Sequence, residues 1–108
     1  MRDLYIIGAG GFGREVAWLV ERINADNEAQ NNTAPWNIKG FIDDNEEIQG
    51  CGEGKYTVVG NCEYLNSIAS AREIYAVCAV GSAKVRKKII EKLGKKVLFP
   101  TVVDPSVL

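Results

Sequence analysis

The stretch LYIIGAGGFGREVAWLV, Leu4 to Val20, narrows the possible folds more than any other part of the chain. An apolar run from Leu4 to Ile7 ends in Gly8, Gly10, Gly11 and Gly13, and a helical pattern follows at once. A short apolar run bounded by glycine fits a buried strand of a parallel sheet. From Phe12 onward Val16, Leu19, Val20 and Ile23 recur at offsets 0, 3, 4 and 7, which is one face of a helix. Arg14, Glu21 and Arg22 take its outer side. The spacing Gly8-x-Gly10-x-x-Gly13 therefore lies between a strand and a helix, the context that gives it meaning. Gly8 permits a tight turn, Gly10 lets the backbone approach a ligand with no Cβ in the way, and Gly13 lets helix and strand pack closely. Phosphate is the natural guest, because the start of a helix presents unpaired N–H groups and a partial positive charge. Gly8, Ala9, Gly10, Gly11, Phe12 and Gly13 are the first candidate binding residues. A glycine-rich turn without a ligand is the alternative.

The remainder of the chain alternates in the same way. Asn24 to Pro35 is polar and Asn-rich and reads as a loop. Asn37 to Ile42 is a second strand, stopped by the acidic run Asp43–Glu47, and Gly50, Gly52 and Gly54 mark a mobile loop. A short extended piece at Tyr56–Val59 leads to a helix over Cys62–Ala69, with Asn61 as its N-cap. Glu73 to Gly81, EIYAVCAVG, is the clearest buried strand. Ser82 can cap a further helix whose inner face is Val85, Ile89 and Leu93, with Arg86, Lys87, Lys88 and Lys92 on its solvated side and Gly94 as its stop. Val97 to Phe99 is a last strand. Alternation of this kind predicts a small Rossmann-like α/β domain, a parallel sheet flanked by helices. The expected core is Leu4, Ile6, Val16, Leu19, Val20, Ile23, Ile42, Leu65, Ile68, Tyr75, Val77, Val85, Ile89 and Leu93.

Composition excludes several functions. With 108 residues the chain supports one core. Its net charge of −1 gives no reason to expect nucleic acid or an anionic membrane as partner. No apolar run has transmembrane length and no signal-peptide pattern opens the chain, so the cytoplasm is the expected compartment. Cys51, Cys62 and Cys78 show no CxxC spacing, which argues against a disulfide framework or a zinc site, and Cys78 reads as a small core residue. The chain has 0 histidines, so the commonest general base and metal ligand is missing. No catalytic residue and no metal ligand is assigned.

Two further elements converge on the end of the sheet that carries the glycines. Asp43 closes the second strand, where a dinucleotide site places an acid to hold a ribose hydroxyl. It lies 30 residues past Gly13, against about 20 in that pattern. Asp43 and Asp44 could hydrogen-bond a ribose or the N–H groups of a base, or could be a solvated pair. Gly81 and Ser82 again put a glycine at a strand end ahead of a helix. These residues leave open which nucleotide is bound, an NAD-type dinucleotide included, and whether the domain is a ligand-free assembly domain instead. The last residues, VDPSVL (Val103–Leu108), match one hexapeptide of a β-helix, a unit that cannot bury a core by itself.

Taken in order, YIIGAGGFGREVA, GFIDD, VVGNCEYL, AVGSAKVRKKI and FPTVVDPSVL resemble the N-terminal domain of the sialic acid and bacillosamine acetyltransferases along the whole chain. The resemblance implies a nucleotide-sugar-binding domain over 1–100 and the start of a left-handed β-helix over 101–108, truncated here. It implies a UDP-amino-sugar or related nucleotide sugar as ligand. Gly8 to Gly13 would lie near the diphosphate, with Asp43 and Asp44 facing the nucleoside. The family's Ile-Gly-Asn-Asn turn corresponds to Val80, Gly81, Ser82 and Ala83, so two amide side chains are lost in this chain. Its usual His-Pro-Ser becomes Asp104, Pro105 and Ser106. Acetyl-CoA, the histidine base and a homotrimeric assembly belong to the family's β-helix. By that resemblance this chain alone is not expected to be an active acetyltransferase.

Overall fold

The computed structural model describes residues 1–53 and 55–100. Strand β1 (Arg2–Ile7) is the centre of the fold, and its two faces explain the layers. Leu4 and Ile6 point into one apolar cluster together with Val16, Ala17 and Val20 of helix α1 (Gly11–Ala29). Tyr5 and Ile7 point the other way, into a cluster with Cys62, Leu65 and Ala69 of helix α2 (Cys62–Ala69) and with Leu93, which ends helix α3 (Ala83–Lys92). One helix thus covers one face and two cover the other.

The remaining strands are β2 (Trp36–Ile42), β3 (Gly52–Glu53), β4 (Tyr56–Gly60), β5 (Ile74–Cys78) and β6 (Val97–Leu98). Their order is β3-β4-β2-β1-β5-β6, parallel throughout except for β3 at one edge. The Rossmann-like expectation holds. Order reverses at β1: β2 and β4 lie to one side and β5 and β6 to the other, so the crevice between β1 and β5 is the switch point where such sheets bind ligands. Backbone hydrogen bonds align the strand ends in one row: Asp43 N–H to Gly60 O at 3.0 Å, Gly8 N–H to Ile42 O at 2.7 Å, and Ala79 N–H to Ile7 O at 2.8 Å.

Several expectations are corrected. Helix α1 runs to Ala29 instead of ending near Asn24, because an exposed helix end needs no apolar positions to continue. The Asn-rich segment supplies the stop itself. Asn31 takes a positive φ of 61°, its N–H reaches Glu28 O at 3.0 Å, and Asn32 N–H reaches Asn27 O at 2.9 Å. That pair of bonds is a Schellman motif. Asn24 faces inward and grips the first residue of β2 twice, donating to Trp36 O at 2.8 Å and accepting from Trp36 N–H at 3.1 Å. The segment read as a mobile glycine loop is strapped to β4: Gly50 N–H bonds Val58 O, Val58 N–H bonds Cys51 O, and β3 pairs antiparallel with β4. Gly54 lies outside the described residues, as does the hexapeptide tail.

The core also differs from the expected set. Tyr5, Ile7, Phe41 and Ile74 are fully buried and were missed, because β1, β2 and β5 are covered on both faces and one-sided alternation finds only half of them. Val85, expected inside, is 45% exposed, and Leu19 is half-buried. Gly94 does not end α3 in a left-handed turn; Asn66 of α2 holds that end instead. Its side-chain amide donates to Lys92 O at 2.9 Å and its carbonyl accepts from Gly94 N–H at 2.7 Å. Replacing Asn66 with Ala should cost about 1 kcal/mol, because water can reach both exposed partners. A thermal melt should fall by roughly 4–8 °C; an unchanged melt would mean that the tether contributes nothing. Among the described residues, no helix is long and apolar enough to cross a membrane.

Candidate functional site

The site is built around the loop from Gly8 to Gly13. Gly8 has φ +104°, and a Cβ there would lie 2.8 Å from Ala79 O, so the strand-to-helix turn admits glycine on two counts. At Gly13 a Cβ would lie 2.1 Å from Gly8 O and 3.3 Å from Phe41, and this closeness brings α1 down onto the sheet. Gly10 is different. It is the N-cap of α1, with ordinary extended angles (φ −78°, ψ −166°), and a Cβ there would have nothing within 4 Å. Gly81, at the end of β5, also faces open space. The fold requires Gly8 and Gly13; it leaves Gly10 bare. Ala9 is buried, while Gly11 and Phe12 are exposed in the first turn of α1. No side chain caps that turn and it holds no acid, so its N–H dipoles are open to an anion.

Beside the loop a cleft of about 290 Å³ opens between the ends of β1 and β2, Val80 beyond β5, the start of α2 and the flank of α3. Ile7, Ile42, Val80, Val85 and Ile89 give it an apolar wall, and Asp43, Asp44, Lys88 and Lys92 supply its charges. Gly8 and Cys62 complete the lining. Gly8, Asp43 and Asp44, predicted from sequence, therefore meet in one cavity. Gly81 and Ser82 adjoin it through Val80, and the Ser82 hydroxyl accepts from Val85 N–H at 3.3 Å, the expected cap of α3. Gly10 to Gly13 do not line it.

Neither carboxylate is idle. Asp43 accepts from Ala9 N–H at 3.2 Å and from Asn45 N–H at 3.0 Å, so it fastens the glycine loop to the end of β2. Asp44 accepts from Cys62 N–H, the first residue of α2, at 2.9 Å, and pairs with Lys92 of α3 at 3.0 Å. The Cys62 N–H, and after it Lys92, hold the Asp44 carboxyl below its ordinary value of 3.8 against a smaller opposing effect of burial. A depressed carboxylate pKa adds stability that is complete above 3.8 and is lost as pH falls through the folded value. Asp44→Asn should therefore lower stability at neutral pH and flatten its decline in acid. A thermal-melt series from about pH 6 to 2 checks this, and identical acid slopes in both proteins would contradict it. Burial, then the Asp44 charge, pushes the Cys62 thiol up to about 11, so it remains a neutral wall group at physiological pH.

A larger hollow of about 800 Å³ runs along α1, lined by Arg14, Trp18, Glu21, Phe41, Lys55 and Tyr56 among others. Its rim is closed by the Lys55–Glu21 pair at 3.1 Å. Of the glycine loop it touches only Gly11, and it extends toward the start of β4, away from the switch point. Size alone does not make it the better candidate. Position and charge favour the smaller cleft.

Val85, Lys88 and Lys92 were missed as site residues. Sequence patterning assigned Val85 to the core and both lysines to solvent. The available signal was their spacing: 85, 88 and 92 share one helical face, a mixed apolar and cationic stripe beside the partly buried Ile89.

Comparison with known proteins bears on this geometry. The family model for the PglD N-terminal domain matches residues 3–93. No curated protein sequence matches. Among solved structures, RSP in complex with β-NADH is similar with a TM-score of 0.59 at 15% identity, over 95% of this chain and 54% of that one. RSP is a Rex-family repressor. UDP-D-quinovosamine 4-dehydrogenase from Vibrio fischeri has a TM-score of 0.57 at 21% identity, over 98% of this chain and 83% of that one. At these identities the likeness is one of fold, and the chain spans about half the length of the RSP structure.

Proposed function

The chain belongs to the PglD N-terminal domain family, and on that premise we propose that it binds the nucleotide part of a UDP-amino-sugar for an acetyltransferase. The observation that carries this reading is the division among the glycines. Gly8 and Gly13 are demanded by packing, whereas Gly10 is bare where nothing in the protein needs it to be. A phosphate chain lying over the loop would use that space and the open N–H groups of α1.

In this reading the uracil and ribose enter the cleft. The apolar wall excludes water from the base, and Asp43 and Asp44 offer remaining acceptor capacity to base N–H or ribose hydroxyl groups. The diphosphate turns onto the glycine loop and the sugar projects beyond it. Acetyl transfer to an amine needs a base and a slot for the thioester. With 0 histidines, this chain's part is to bind and orient the amino sugar. The base and acetyl-CoA are assigned to the β-helix of a homotrimeric parent enzyme in the cytoplasm. Domain boundaries at 1–100 and 101–108 belong to the same proposal.

Calorimetric titration of this domain with UDP and, separately, NAD⁺ tests it. UDP should bind saturably and NAD⁺ should be at least about tenfold weaker, a difference of about 1.4 kcal/mol. Tighter binding of NAD⁺ would make this a dinucleotide domain, and binding of neither would leave an assembly role.

A further inference from the structure

Four charged side chains line the cleft, and three of them are already engaged. Asp43 accepts backbone N–H groups from Ala9 and Asn45. Asp44 accepts from Cys62 N–H and pairs with Lys92. Lys88 alone has no hydrogen bond or ion pair among the described residues. It sits one helical turn past Val85, on the face of α3 that forms the cleft wall, whereas Lys84 and Lys87 of the same helix do not line the cavity. Beside Val80, Val85 and Ile89 an arriving anion would be partly desolvated, which strengthens attraction to an ammonium.

We propose that Lys88 is the residue by which this cleft distinguishes a nucleotide from a nucleoside: its ammonium pairs with the phosphates while Lys92 stays committed to Asp44. A lysine suits this role because it is a compact point charge with rotatable donors and can follow a flexible diphosphate. The division of labour is then physical. The glycine loop supplies directional N–H donors but no net charge, the Asp44–Lys92 pair is neutral, Asp43 turns its carboxylate to the Ala9 and Asn45 N–H groups, and among the described residues lining the cleft Lys88 supplies the uncommitted positive charge. The inference rests on the nucleotide-binding reading above and deepens it by naming its discriminating charge.

The test compares wild type, Lys88→Gln, Lys88→Arg and Lys84→Gln by calorimetry with uridine and UDP, with pyrophosphate as a competitor and a salt series. Lys88→Gln should weaken UDP about tenfold or more and leave uridine unchanged, so that the preference for UDP over uridine collapses. The salt dependence of UDP binding and competition by pyrophosphate should both decline in that variant. Lys88→Arg should keep most of the preference, and Lys84→Gln should match wild type. Thermal melts confirm that each variant is folded. Equal weakening of uridine and UDP, or no weakening of UDP, overturns the role of Lys88 and leaves the nucleotide site standing. A wild-type domain that binds no UDP overturns the site itself, and this inference with it.

Discussion

Adding one methyl group at Gly13 should destabilise this domain by about 3 kcal/mol or more, the upper range for overpacking. The Cβ of Gly13→Ala would lie 2.1 Å from Gly8 O, a backbone atom that cannot swing away as a flexible side chain could. Gly8 cannot retreat, because its N–H is bonded to Ile42 O at 2.7 Å and its own Cβ position already faces Ala79 O. Phe41, fully buried, closes the other side at 3.3 Å. The start of α1 must therefore lift from the sheet, loosening Val16, Ala17 and Val20 from the cluster under it. A thermal melt should fall by more than about 10 °C. A loss below about 1 kcal/mol would show that the helix–strand contact is far softer than its geometry.

The opposite result is expected three residues earlier. Gly10→Val places its side chain in empty space on backbone angles open to any residue, so the loss of stability should stay at about 1 kcal/mol, the cost of a branched apolar residue at the N-cap of α1. UDP affinity, however, should fall beyond about a hundredfold, since two branched methyls would stand where the phosphate must approach the N–H groups of α1. Gly10→Ala should fall between wild type and valine. Two glycines of one motif then separate into a folding role and a binding role. Unchanged UDP affinity in a folded Gly10→Val protein would remove the phosphate from the loop.

The difference between these glycines was legible in outline, because Gly8-x-Gly10-x-x-Gly13 carries its strand-turn-helix context with it. Helix α2 was legible in full: Cys62–Ala69 has a clean inward face, and Asn61 caps it by accepting from Tyr64 N–H at 2.9 Å. What escaped were features fixed by tertiary surroundings. Leu4–Ile7 reads as a buried strand, but what covers Tyr5 and Ile7, helix α2 and the end of α3, lies far away in sequence. Asn66 looks like an exposed polar position until the end of α3 arrives beside it. Patterning likewise sends apolar residues inward and lysines outward, so it has no category for Val85 and Lys88, which sit side by side because a cleft needs both. Asp43 and Asp44 were found as candidates, but their bonds to the loop and to α2 were not visible, since those partners are distant in sequence.

A nucleotide should occupy the switch-point cleft and not the larger hollow beside α1. Amide chemical-shift mapping of the isotopically labelled domain during a UDP titration tests it most directly, with the Trp18 indole as an internal reporter of the other cavity. Saturable shifts are expected at Gly8, Gly10, Gly11, Asp43, Asp44, Gly81, Ser82 and Lys88, with Trp18, Lys55 and Tyr56 unmoved. Shifts centred on Trp18 and Tyr56, with Asp43 and Lys88 unmoved, would contradict it.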